Sequence, residues 1–287
     1  MDAGEKIRIQ IESSPGQYQA KNWLDQSWKL LSLPLLLFIA LPLISLFTHA
    51  SLADILRNLN QRQVLEAISL SLTTSLATML ITLVFGTPVA YLLAQRRGRF
   101  HRLVDTLIDL PTVLPPSVSG VALLMAFGRQ GLIGGWLAAT GINLPFTTVA
   151  VIMAQVFIAS PFYVKAAAIG FATIDPELKQ AAALDGAGAW RTFRDIDFPL
   201  AGMALLSGSV MTWARALGEF GATIIFAGNF PGRTQTMPLA IYMGFEIDLN
   251  VALTLSIIMI GLSFLTLLIV KGMLHRQIET GVELGVG

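Results

Sequence analysis

Long apolar stretches separated by short polar ones dominate the chain. Uncharged runs cover residues 30–47, 68–94, 110–128, 142–164 and 251–270, with lengths of 18, 27, 19, 23 and 20 residues. As helices, each is long enough to cross a hydrocarbon core of about 30 Å. A sixth stretch, 198–230, is interrupted only by Arg215 and Glu219. Drawn as one straight helix, its 33 residues would reach roughly 50 Å, so it is expected to bend, break or protrude. Soluble helices are rarely apolar on every face. Six such stretches in one chain predict an all-α integral membrane protein with six transmembrane helices. The same pattern divides the chain into an N-terminal segment 1–29, a transmembrane domain 30–272 and a tail 273–287.

The third run carries Pro111, Pro115, Pro116 and Gly120, with Thr112, Ser117 and Ser119 between them. Proline removes a helical N–H and clashes with the preceding turn, so this helix is expected to be broken. Two readings stand side by side. Exposed backbone and hydroxyl groups could line an internal passage, or the prolines could only shape packing.

Basic residues set the orientation, because loops rich in Lys and Arg stay on the cytoplasmic side. With the N-terminus inside, fourteen basic residues fall inside, among them Lys29, Arg96, Arg97, Arg99, Arg102, Lys165, Lys179, Arg191, Arg194 and Lys271. Only Arg57, Arg62, Arg129 and Arg233 fall outside. Both termini are therefore expected in the cytoplasm. The first apolar run follows 29 mostly polar residues with no small-residue cleavage pattern behind it, and so reads as a retained span, not a cleaved signal. The N-terminal segment, with Ile7, Ile9 and Ile11 alternating, reads as an arm or a short strand. No internal repeat is visible, which weighs against a carrier built from two similar halves.

Composition narrows the chemistry. Of 287 residues, 54% are hydrophobic and 13% charged, and the net charge is +1, so there is no basic excess for nucleic acid. The absence of cysteine excludes a disulfide framework, a thiolate metal site and a cysteine nucleophile. His49, His101 and His275 do not form a His-Glu-x-x-His motif, and no Gly-Lys dipeptide or Gly-x-Ser-x-Gly elbow occurs. A zinc protease, a P-loop ATPase and a serine hydrolase are thus not expected. The chain reads as a non-enzyme without a cofactor of its own. Asp105 and Asp109, four apart at the entrance to the third run, could form a metal or proton site, but are expected to lie hydrated near the interface, because charge deep in lipid is costly. Arg215 and Glu219, also four apart, are the only charges inside a span. They are either part of a gate or a self-satisfied packing pair.

Residues 171–199, between the fourth and fifth spans, form a polar segment with its own punctuation. Asp175 is a good N-cap and Pro176 suits the first helical position. Gly186 can end the helix in a left-handed conformation. Ala181, Ala182 and Ala183 give a small-residue surface for close packing by a partner. Trp190 and Phe193, three apart, offer an apolar face for a second short helix before Pro199.

This segment resembles the cytoplasmic loop of ATP-binding-cassette (ABC) importer permeases. Their pattern is Glu-Ala-Ala, three residues, Gly, nine residues, Ile, one residue, Leu-Pro. Here Gln180, Ala181, Ala182, Gly186, Ile196 and Pro199 stand at those spacings. Gln180 replaces the usual Glu and Phe198 the usual Leu, which removes the carboxylate from any ion pair expected at that position. The resemblance implies a type I ABC importer permease, with a coupling helix in the loop 171–198 that fits a groove of a separate ATPase subunit.

A wider resemblance spans about 69–271 and is carried by 109–120, 213–221 and 226–240. It points to the molybdate/tungstate permeases, with sulfate permeases close by, and the 231–236 run is similar to the molybdate branch. It implies ABC ATPase subunits that carry ATP and Mg, an extracytoplasmic oxyanion-binding protein and a second permease copy as partners. A doubly charged oxyanion needs a polar, gated passage. Pro111, Thr112, Pro115, Pro116, Ser117, Ser119, Arg215 and Glu219 are its candidates. An ion-coupled secondary transporter is the alternative from another class; Glu219 alone would qualify as its mid-membrane carboxylate.

Overall fold

The computed structural model describes the backbone of residues 15–49, 51–95 and 98–283, and the side chains of 28–49, 51–95 and 98–272. All regular elements among the described residues are helical. In chain order they are α1 (Pro15–His49), α2 (Leu52–Asn58), α3 (Arg62–Gln95), α4 (Arg99–Val113), α5 (Pro116–Phe127), α6 (Gly134–Ala139), α7 (Thr148–Ala172), α8 (Pro176–Leu184) and α9 (Ala189–Thr192). A π-helical turn, Phe193–Asp197, leads to α10 (Phe198–Leu200), α11 (Gly202–Leu217), α12 (Gly221–Phe226), α13 (Met237–Ile247) and α14 (Leu249–Glu283).

Trp28–His49, Arg62–Gln95, Thr148–Ala172 and Leu249–Gly272 are each long and apolar enough to cross a membrane. Two bent pairs, α4 with α5 at 118° and α9–α10 with α11 at 68°, raise the number to six if each pair is one span. The chain divides into the units Met1–Ser51 and Leu52–Gly287. In the first, the Trp28–His49 part of α1 is apolar on every face beyond Lys29, with Leu30, Leu36, Phe38 and Leu41 exposed, as suits a membrane span. Of the alternating arm expected at the N-terminus, residues 1–14 lie outside the described residues, while the rest is helical from Pro15. The boundaries expected at 29 and 272 fall inside α1 and α14.

In the second unit α7 packs against both α3 and α11. Lipid gives no hydrophobic reward for helix association, so small side chains and hydroxyls carry the packing. Ser71, Thr74, Ser75, Thr78 and Thr82 form a buried stripe on α3 at helical spacing. Thr78 Oγ1 donates to Gln155 Oε1 at 3.0 Å, and Thr87 shares a 2.5 Å hydrogen bond with Tyr163 of α7. Ser71 Oγ accepts the Met237 N–H at 2.6 Å and so caps α13 from another helix.

The 110–128 run is broken, as its prolines lead one to expect: it ends α4, breaks at Leu114 and Pro115 and continues as α5. The twelve residues of α5 reach only about 18 Å. The fourth helix is displaced from 142–164 to Thr148–Ala172. Its start is fixed by Thr147, whose side chain accepts the Ala150 N–H at 3.2 Å. At its other end it runs on past Lys165, because that charge is paired.

Lys165 Nζ lies 2.5 Å from Asp105 Oδ1 and 2.8 Å from Asp109 Oδ2. The two carboxylates are therefore not simply hydrated; they tie α4 to α7. The opposite side of α4 presents Phe100, Leu103, Leu107 and Leu110, all exposed. Their spacing of three, four and three residues makes α4 amphipathic.

Candidate functional site

The polar segment after α7 folds as its punctuation predicts. Asp175 Oδ1 accepts the Glu177 N–H at 2.9 Å, and Pro176 occupies the first turn. At the other end Gly186 has φ +79°. Its N–H bonds the Ala183 carbonyl at 3.1 Å while the Ala187 N–H bonds Ala182 O at 2.9 Å. These are the two closing bonds of a Schellman cap. The helix between them, α8, buries none of its residues. Gln180 and Ala181 are exposed and Ala182 half-buried. A Cβ at Gly186 would meet nothing within 4 Å, so this end of α8 is open to a partner.

The return to the membrane is tighter. Trp190 is exposed and stacks on Phe193, with centroids 5.6 Å apart. Phe193 packs edge-on against Tyr91 of α3 at 5.0 Å. The π-helical turn closes with the Phe198 N–H on the Phe193 carbonyl. Just beyond it, Pro199 has no N–H to offer the Asp195 carbonyl, which relaxes the ordinary helical register there. Pro199 thus lies in α10, ahead of the 68° bend, and does not itself open the next span. Ile196 is half-buried in the π-helical turn. On the outer side of that turn, Arg194 Nε donates to Asp195 at 2.7 Å and holds its carboxyl below the usual carboxylate range.

Sequence reasoning missed the strongest polar feature of this region. Asp197 is completely buried. Tyr91 OH donates to its Oδ2 at 2.7 Å, and Lys179 Nζ stands 3.0 Å from its Oδ1. The loop therefore has an ion pair, but from Lys179 and not from position 180. The available signal was an aspartate flanked by Ile196 and Phe198 in a segment returning to the membrane.

A second constellation lies where two helices break. Arg215 Nη1 is 2.8 Å from Glu219 Oε2, and Glu219 Oε1 accepts the Ala222 N–H at 2.9 Å, so the buried carboxylate also caps α12. Gly221 abuts the start of α5: a Cβ there would stand 2.7 Å from Pro116 Cβ. Pro116, Ser117, Arg215, Glu219 and Gly221 thereby line one recess of about 350 Å³.

The other candidates stand apart from this recess. Ser119 is buried with its hydroxyl toward the Pro115 carbonyl at 3.5 Å, and Pro115 marks the break itself. Pro111 is buried within α4, and Thr112 donates to its own helix at Asp109 O, 2.7 Å away.

Within the 226–240 segment, residues 227–236 form a structured loop between α12 and α13. Gly228 and Gly232 have φ of 72° and 71°. The Phe230 N–H bonds Thr234 Oγ1 at 2.9 Å, and Thr148 Oγ1 donates to the Arg233 carbonyl at 2.9 Å. No group of three or more potential metal-binding side chains occurs among the described residues.

This arrangement of bent spans and a capped, protruding helix is the fold of ABC importer membrane subunits. A chain of a bacterial ABC transporter involved in the import of the acidic polysaccharide alginate superposes with a TM-score of 0.73 at 17% identity, covering 91% of this chain and 96% of that one. The MetNI methionine ABC transporter in an inward-facing conformation gives a TM-score of 0.56 at 18% identity, covering 73% and 95%.

Residues 86–282 match the family described as the binding-protein-dependent transport system inner membrane component, and the chain belongs to that family. Similar proteins include the probable transport system permease protein NifC of Clostridium pasteurianum, 36% identical, covering 84% of this chain and 85% of the relative. The molybdenum transport system permease protein ModB of Escherichia coli K12 is 39% identical, covering 71% and 90%. The probable sulfate transport system permease protein cysT of Chlorokybus atmophyticus is 32% identical, covering 85% and 86%.

Proposed function

We propose that this chain is the permease subunit of an ATP-driven importer of tetrahedral oxyanions, with molybdate as the substrate and tungstate as its close mimic. The observation that carries the permease reading is α8: a helix capped at both ends, with no buried residue, joined to α7 on one side and, through α9, the π-helical turn and α10, to α11 on the other. Such a helix is built to be gripped from outside the chain. The substrate reading is supported by relatives named as molybdenum permeases at 38% and 39% identity.

In this reading ATPase subunits bind α8 and supply ATP and Mg. An extracytoplasmic binding protein delivers the anion, a second permease copy completes the passage, and this chain is not itself catalytic. Both termini lie in the cytoplasm. The recess at Arg215 is part of the pathway. There the guanidinium, the Ser117 hydroxyl and the positive end of α5 offer an anion brief contacts. Arg215 is already paired to Glu219, so its pull on a passing anion is weak, and a conduit needs a contact that can be left.

The test is ATP-dependent uptake of labelled molybdate into proteoliposomes containing this chain, its ATPase and its binding protein. Block by tungstate but not sulfate is the expected result. The similarity to a sulfate permease over 85% of the chain supports a second reading, to which competition by sulfate would move the assignment. Uptake without the ATPase would instead favour an ion-coupled carrier.

A further inference from the structure

We propose that Asp197 is a positioning residue that locks the docking helix α8 to the membrane helix α3, so that displacement of α8 is carried into the spans. The inference rests on the reading of α8 as the helix that an ATPase grips.

Three elements meet at this carboxylate. Asp197 ends the π-helical turn and is 0% exposed. A buried carboxylate is costly unless its oxygens are satisfied. Here Tyr91 of α3 donates a hydrogen bond to Oδ2 at 2.7 Å, while Oδ1 makes no hydrogen bond and is compensated by the charge of Lys179 of α8, 3.0 Å away. The Lys179 ammonium also lies 5.6 Å from the centroid of the Tyr91 ring, so the three side chains close a triangle. Phe171 and Phe193 flank the Tyr91 ring edge-on at 5.3 and 5.0 Å. They keep the pair in apolar surroundings, where charge attraction is stronger than in water.

Lys179–Asp197 is the one ion pair from α8 among the described residues. Moving α8 without α3 would strand a buried charge, a far larger penalty than losing an exposed pair. The helix, the π-helical turn and the inner end of α3 are thus held as one body. The π-helical register places Asp197 in this position, and widened turns of this kind often mark functional sites.

The test uses the full chain reconstituted with its ATPase and binding protein, with ATP hydrolysis and molybdate uptake measured on the same vesicles. Asp197→Asn keeps an acceptor for Tyr91 but loses the charge; Lys179→Gln loses the cation. Each is expected to lower uptake per ATP hydrolysed at least fivefold while hydrolysis persists. The double variant should be no worse than either single one, and Lys179→Arg should stay near the wild-type ratio.

An unchanged ratio in Lys179→Gln, or hydrolysis and uptake falling in parallel, would overturn the proposal, because a purely structural tie reduces both equally. Should Asp197→Asn fail to reach the membrane, Lys179→Gln, at the partly exposed end of the pair, decides the same question. Wild-type uptake that needs no ATPase would overturn the docking reading itself. ATPase dependence with unaltered ratios would overturn only the lock.

Discussion

Glu219 holds Arg215 with one carboxylate oxygen, at 2.8 Å, and the first turn of α12 with the other. The two roles separate by mutation. Arg215→Ala strands a carboxylate that is 1% exposed, a loss of about 3 kcal/mol or more, so less chain should accumulate in the membrane. Arg215→Ala with Glu219→Gln removes the stranded charge and keeps an acceptor for Ala222. That pair should restore abundance on immunoblots yet leave molybdate uptake at least tenfold low. Full recovery of uptake would reduce the ion pair to packing.

At Gly186 the positive φ and the open space around it point to two different outcomes. Alanine there must adopt a left-handed backbone, costing about 1 kcal/mol, and uptake should fall only modestly. Tryptophan adds bulk on the face where a partner would sit. Gly186→Trp should insert normally but neither co-purify with the ATPase nor transport. Normal co-purification would remove this face from the docking surface.

Where α5 crosses α12 there is no room for a side chain. A Cβ on Gly120 would lie 2.8 Å from Ile225 Cβ and 2.9 Å from the Ala222 carbonyl. Gly120→Leu should therefore force the two helices apart and lower the melting temperature in detergent, with a cost of about 1–3 kcal/mol or more. Gly261→Leu, on α14 where a Cβ meets nothing within 4 Å, is the control and should leave melting unchanged.

Because the chain contains no cysteine, single cysteines can report topology without background. Ala187→Cys, beside the docking helix, should react with an impermeant thiol reagent only from the cytoplasmic side. Arg233→Cys, in the 227–236 loop, should react only from the opposite side. Labelling of both from one side would reverse the assignment of one of them.

Local features were legible in the sequence where the chemistry is local. Asp175, Pro176 and Gly186 bound α8 as their conformational preferences require, and Pro115 breaks the third apolar run. Features that depend on which helices become neighbours were not legible. Lys165 looks like a loop cation until α4 lies against α7 and supplies Asp105 and Asp109. Asp197 looks solvent-bound until Tyr91 and Lys179 converge on it. The run 198–230 is expected to bend or break, and it bends at Ala201 and breaks after Leu217; Glu219 then caps the helix that follows. Hydropathy also hid the α3 stripe, since Ser and Thr barely interrupt an apolar average.

That stripe has a further consequence. In lipid, one greasy surface fits another at almost any offset, so apolar faces carry little information about alignment. Thr78 opposite Gln155 and Thr87 opposite Tyr163 work instead as two teeth of a key. Sliding α3 by one turn against α7 would leave both unmatched, and the inner and outer halves of the protein are thereby kept in step along a single rail.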